Sequence, residues 1–200
     1  MGHRPTSDLR GEPPDRASVD FAMERYASGD ESAFAEIYDS VAPRLYSYLL
    51  RRTHDATASE DLVQQTLLQM HGARGSFIPG SMVMPWAFAI ARRLFIDRVR
   101  RTRRELPSES DSESEALVCS ETAEDAAEAR QLAARLSEEL RRLPESQRVA
   151  FELLRIDGLS HTEAAAALGV TVNAVKLRAH RAYVALHTVI DTFFPTKSDD

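Results

Sequence analysis

Asn173, Lys176, Arg178, His180 and Arg181 crowd into the segment TVNAVKLRAHRA, which runs from Thr171 to Ala182. Each of these side chains can donate hydrogen bonds, the chemistry needed to reach phosphate oxygens and the guanine edges of a DNA groove. In the same segment and just beyond it, Val172, Val175, Ala179, Ala182, Leu186 and Ile190 recur at steps of three or four residues. That period predicts a helix with an apolar stripe turned inward and the donors turned outward. Leu177 fits neither set. It lies about 200° around the helix from Val175, exposed or facing DNA, where it either meets a thymine methyl or pads the surface; the residue types leave both open.

The donors need an element to fix their angle, and LSHTEAAAALGV, just before them, has the form of one. Ser160 and Glu163 have the S-x-x-E spacing of a capping box, which satisfies free amides at a helix start and is worth about 1 kcal/mol. The helix they open is short and rich in alanine, which lets a second helix approach closely. Gly169 supplies the backbone freedom of a sharp turn, and Thr171 can cap the second helix. The pattern is that of a helix-turn-helix, a module shared by many regulators; a plain helical hairpin is the alternative.

The chain has 200 residues and a formal net charge of -6, an unpromising balance for a DNA binder. The charge is not evenly spread. Residues 92–104, RRLFIDRVRRTRR, hold seven Arg against one Asp, whereas residues 105–129 hold nine Asp or Glu and no Lys or Arg. The basic charge therefore sits where it can meet a polyanion, and the acid sits elsewhere. The densest apolar patch, MPWAFAI, falls far short of the roughly 20 residues of a membrane span, and the start MGHRPTSDLRGEPPD has no signal-peptide core. A cytoplasmic protein without membrane insertion is expected. A single cysteine, Cys119, rules out an internal disulfide and a multi-cysteine zinc site. No metal, cofactor or catalytic residue is expected: clustered carboxylates, metal-ligand spacings, a Gly-rich phosphate loop and a nucleophile elbow are all missing from the pattern.

The elements around these segments read as helical. Residues 1–17 lack periodicity and form a tail. A short helix runs from Asp20 to Ala27, and Asp30 can cap the next, with Phe34, Ile37, Tyr38, Val41, Leu45, Tyr48 and Leu49 at helical spacing and Pro43 bending it. Ser59 caps a helix with Leu62, Val63, Thr66, Leu67 and Met70 on one side, ending near Gly72. After the Gly- and Pro-containing loop ARGSFIPGSMVM, Pro85 opens the helix Trp86 to Arg104, striped by Phe88, Ala91, Phe95 and Val99. Residues 106–125 are rich in Ser and Glu and read as an acidic flexible linker. Beyond it Leu132, Leu136, Leu140 and Leu143 lie in helical register, and a helix from Pro144 to Asp157 stops at Gly158. The fold class is all-α, with two small helical domains, 18–105 and 126–194, and a tail at 195–200.

Taken together, four ordered motifs resemble the extracytoplasmic-function sigma factors, small members of the sigma-70 family of bacterial RNA polymerase subunits. They are GDESAFAEIYDSVAPRLYSYLLRRT, ASEDLVQQTLLQMH, PWAFAIARRLFIDRVRR and LPESQRVAFELLRIDGLSHTEAAAALGVTVNAVKLRAHRA, and they cover roughly residues 20–190. The resemblance implies that the first domain (region 2) binds the clamp helices of core RNA polymerase and opens the minus 10 element of promoter DNA. The second (region 4) reads the minus 35 element and docks on the polymerase flap. It also implies control by an anti-sigma factor, which can hold the protein at the inner membrane.

By the same resemblance, Asp61, Gln64 and Gln65 form the polar face that meets the clamp helices, and Leu62, Val63 and Leu67 are core. The loop 74–84, with Arg74, Ser76 and Phe77, stands where the family captures an unstacked minus 10 base, beside a strand path lined by Asp97, Arg98, Arg100 and Arg101. Thr171, Asn173, Lys176, Leu177, Arg178, His180 and Arg181 occupy the minus 35 reading positions. Leu177 and Ala179 depart from the family, which often has a small hydroxyl residue and a larger aliphatic there. Trp86 and Phe88 are expected in the core rather than as stacking platforms. Opening about 10 base pairs at roughly 1.4 kcal/mol per step exceeds what one small domain supplies, so core polymerase must take part. A 19-residue linker, 106–124, reaches at most about 65 Å, enough for elements on the order of 50 Å apart. A helix-turn-helix regulator acting without polymerase would leave the EDLVQQT and arginine-rich helices without a role.

Overall fold

The computed structural model describes residues 16–105 and 125–194; Arg16 and Ala17 of the predicted N-terminal tail belong to the first helix, and the rest of the predicted tails and all but the last residue of the predicted linker lie outside the described residues. Among the described residues every regular element is a helix. Helix α1 (Arg16–Ala27) buries Val19, Ala22, Met23 and Tyr26, one face at 3-4 spacing. Helix α2 (Ala33–Thr53) buries Ile37, Val41, Leu45, Tyr48 and Leu49, and carries Pro43 on its exposed side, where water can serve the carbonyl left without an amide. Its N-cap is Ser32 rather than Asp30, but Asp30 holds that turn, accepting from the Ser32 amide at 3.1 Å and the Ser32 hydroxyl at 2.5 Å.

Helix α3 (Ala56–Ala73) corrects the expected cap. Asp55, with extended backbone, accepts from the amide of Ala58 at 3.1 Å, while Ser59 is fully buried one turn inside the helix and donates back to the Asp55 carbonyl at 2.7 Å. An N-cap needs extended backbone three residues before the amide it serves, and that position is Asp55. A 3-10 turn (Arg74–Ser76) leads through a loop to α4 (Val83–Glu105), so Pro85 sits in the first turn, where its missing amide costs nothing. Phe88 of α4 meets Tyr48 of α2 edge-on, with centroids 5.1 Å apart, and both are almost wholly buried.

The second set begins with α5 (Asp125–Arg142), whose Leu132, Leu136 and Leu140, with Leu143 just beyond, lie on a half-buried face. Helix α6 (Glu145–Arg155) follows Pro144, α7 (His161–Leu168) is short, and α8 (Val172–Phe193) packs against α5, α6 and α7.

The two sets also pack on each other. Helix α7 lies along α4, and one continuous buried cluster runs from Val19 to Val175. Two ion pairs seal the junction. Arg51 at the end of α2 contacts both carboxylate oxygens of Asp157 at 2.6 and 2.8 Å, and Arg52, its guanidinium 3.8 Å above the Tyr48 ring, contacts Glu152 at 2.8 Å with both side chains under 10% exposed.

Candidate nucleic-acid interface

The turn before α8 is built locally. Glu163 accepts from the Ser160 amide at 2.6 Å while Ser160 accepts from the Glu163 amide at 3.2 Å, so the predicted capping box is present. Gly169 closes α7 in the left-handed region at φ 65°, its amide directed to the carbonyls of Ala165 and Ala166. Thr171 accepts from the Ala174 amide at 3.2 Å and starts α8; its hydroxyl hydrogen remains available outward.

Along α8, Val175, Ala182 and Leu186 are buried and Val172 and Ala179 are half-buried, as their spacing predicts, whereas Ile190 at the far end is 38% exposed. The stripe stays buried as far as Leu186 and opens only at Ile190, one turn further on. Asn173, Lys176, Leu177, His180 and Arg181 are exposed, and Arg178 is half-buried on the flank toward the core. Leu177 is 51% exposed and stands between Asn173 and Arg181, four residues to either side, in the middle of the outward donor face. Lys176, Ala179, His180 and Tyr183 border a groove completed by Phe151, Leu154 and Arg155 of α6. The small side chain at 179 keeps that groove open.

The arginine-rich end of α4 exposes Asp97, Arg98, Arg100 and Arg101, with Arg104 beyond. Phe88 and Trp86 belong to the protein interior: Phe88 is buried and Trp86 is half-buried, 5.5 Å from the ring of Phe77. The loop residues are unevenly free. Arg74 lies over the Tyr26 ring at 5.5 Å, donates to the His71 carbonyl at 3.1 Å and faces Glu31 at 3.4 Å. Tyr26 is in turn hydrogen-bonded to Nδ1 of His71. Ser76 is exposed but donates to the Ala73 carbonyl at 2.8 Å. Ile78, which the residue pattern had not singled out, is open to a partner at 70% exposure. An apolar residue directly before Pro79-Gly80 was the signal available for it.

On α3, Asp61, Gln64 and Gln65 share an exposed face while Leu62, Val63 and Leu67 are buried, as expected. Leu68, 70% exposed one turn further on, extends that face with an apolar side chain that spacing alone had not picked out.

Residues 37–105 match the family described as Sigma-70 region 2, and residues 133–186 match Sigma-70, region 4. The chain is 31% identical over 168 residues to the RNA polymerase sigma factor CarQ of Myxococcus xanthus, covering 84% of this chain and 95% of that protein. This chain is an extracytoplasmic-function sigma factor. A second member of this sigma factor family, SigF of Caulobacter vibrioides, is 35% identical over 167 residues, covering 82% of this chain and 89% of its own. Among solved structures this sigma factor superposes on CnrH in complex with the cytosolic domain of CnrY with a TM-score of 0.65 at 26% identity, covering 88% of this chain and 98% of CnrH. It superposes on the sigma factor RpoE in complex with the anti-sigma factor NepR from Bartonella quintana with a TM-score of 0.61 at 27% identity, covering 79% and 96% of the two chains. None of the helices among the described residues is long and apolar enough to cross a membrane.

Proposed function

We propose that this sigma factor docks on the clamp helices of core RNA polymerase through Asp61, Gln64 and Gln65 of α3. It opens and reads the minus 10 element with the loop 74–84 and with Asp97, Arg98, Arg100 and Arg101 of α4, and reads the minus 35 element with the face of α8 from Thr171 to Arg181. The functional units are residues 18–105 and 126–194, joined by the acidic segment 106–125. Phosphodiester chemistry belongs to the polymerase, and the chain acts in the cytoplasm, where polymerase and promoter meet.

One observation carries this reading: Asn173, Lys176, Leu177, His180 and Arg181 all stand outward from a helix whose start is pinned by Ser160, Glu163, Gly169 and Thr171. That is the arrangement a groove-reading helix requires, with its first turns free and its apolar side committed. Because α7 lies along α4, the two units must part to reach promoter elements on the order of 50 Å apart. Breaking the Arg51–Asp157 and Arg52–Glu152 pairs belongs to assembly with polymerase. The superposition on two structures whose partners are CnrY and NepR supports control by an anti-sigma factor that holds the free chain.

Run-off transcription with purified core polymerase on fragments of the host genome tests the reading. Transcripts starting at a shared pair of spaced elements are expected only when the chain is added. Tight binding of the chain alone to an operator, with no transcript from any fragment, would mean a regulator that acts without polymerase.

A further inference from the structure

The loop between α3 and α4 has almost no core of its own to order it. Pro79 and Gly80 are exposed and Ile78 and Met82 present apolar surface to solvent. Residues 78–81 form a turn in which the Ser81 amide donates to the Ile78 carbonyl at 3.0 Å, with Pro79 at the second position and Gly80 at φ 79° at the third. Proline then glycine with positive φ is the pattern of a type II turn, which defines the shape of the tip but not where the tip points.

Its direction comes from α1. Glu24 accepts from the Gly80 amide at 2.6 Å, and Asp20, one helical turn earlier on the same face, accepts from the Val83 amide at 2.7 Å. The second bond fastens the start of α4; the first fastens the tip. At its other end the loop is held by α1 again, through Tyr26 beneath Arg74. Helix α1 is itself fixed against α2 by Arg25, which reaches Asp30 at 2.7 Å and Glu36 at 2.9 Å. Both α1 carboxylates accept from backbone amides, Glu24 in the loop and Asp20 at the start of α4, at distances typical of charge-assisted bonds. An exposed amide such as that of Gly80 would be equally well served by water, so stability alone does not call for the Glu24 bond. Holding a surface for an unstacked base does, since discrimination requires the reading side chains to stay within a fraction of an ångström of one geometry.

We propose that Glu24 is a positioning residue for minus 10 recognition: it aims the 78–81 turn, and so Ile78, at the displaced base, with Asp20 setting the register of α4 behind it. The inference rests on the reading of loop 74–84 as the minus 10 reader. Neither carboxylate touches DNA.

The test uses the full chain with core polymerase, comparing open-complex formation on the native promoter with promoters changed at single minus 10 bases or, as an internal control, at single minus 35 bases. Glu24→Ala is expected to lower discrimination among minus 10 bases about tenfold, the effect of losing one hydrogen bond to a charged group. Minus 35 discrimination and the thermal midpoint should stay unchanged. Glu24→Gln, whose amide oxygen still accepts from Gly80, restores most of the discrimination. Equal impairment by Ala and Gln, or a lowered thermal midpoint with minus 10 and minus 35 effects in parallel, overturns the positioning role. Ile78→Ala separates the positioning role from the reading role of the loop. Minus 10 preference altered by Ile78→Ala but not by Glu24→Ala sinks this inference alone; preference altered by neither sinks the reading of the loop as well.

Discussion

Helix α8 presents Asn173, Leu177 and Arg181 on successive turns of one helix, and the capping bonds at its start, from the Ser160–Glu163 box to Thr171, join residues three to four positions apart. The loop 74–84 presents Ile78 and Met82 from a turn whose fastenings come from 56 and 63 residues away. Two surfaces proposed for DNA are thus held by opposite means, one by local capping and the other by a distant helix that must itself be folded and seated. A local device survives rearrangement of its surroundings. The distant one works only while the four helices of the first set share a core.

Cutting that core therefore tests the contrast most severely. Phe88 is 1% exposed and meets Tyr48 edge-on, so Phe88→Ala should cost about 3–5 kcal/mol in chemical denaturation followed by circular dichroism. Minus 10 discrimination should fall with it, since α1 and α4 lose the interior that sets their separation. A loss below about 1 kcal/mol would show that the site collapses around the truncated side chain and that the loop does not depend on this core.

The matching cut in the local device is smaller. A Cβ at Gly169, φ 65°, meets open space, so the penalty of Gly169→Ala comes from its backbone alone, about 1–2 kcal/mol. The turn angle between α7 and α8 should relax with it, weakening minus 35 discrimination in run-off transcription while minus 10 discrimination holds. Equal loss at both elements would mean that the two surfaces are not independently held.

The same contrast decides what can be read from the residues before any fold is known. The Ser160–Glu163 box, Gly169 and Thr171 were legible because each is a rule about neighbours, and the four ordered motifs carried the family. Ser59 was mistaken for a cap because its type suits the role; Asp55 takes it through backbone shape, which residue type does not reveal. Nothing in the residue pattern singles out Glu24, and Asp20 marks only the start of a short helix, since their partners are backbone amides, which leave no mark in a sequence. Arg51 and Arg52 stand in the last turn of α2, where basic residues suit a helix end. They are ion-paired across the junction of the two sets, over a separation of 106 residues for Arg51, and no local pattern announces that.

The junction supplies the finest test of how the two regions are joined. Asp157 is 3% exposed at its side chain, and burial pushes its carboxyl above the ordinary value of 3.8, against the opposing pull of Arg51 and Arg52 and with a small push from Glu152. The folded chain accordingly holds this proton more tightly than the unfolded chain. Stability from protonated Asp157 is fully present below its unfolded value and is lost as pH rises through the raised one. Asp157→Asn keeps the shape and does not titrate. Between about pH 4 and pH 7 the thermal midpoint of the native chain should therefore fall relative to that of the variant, by an amount smaller than either cut above. If the native chain instead gained on the variant as pH rose, Arg51 would outweigh burial, and the junction would be an electrostatic clasp that tightens toward neutrality, where the two units must part to reach a promoter.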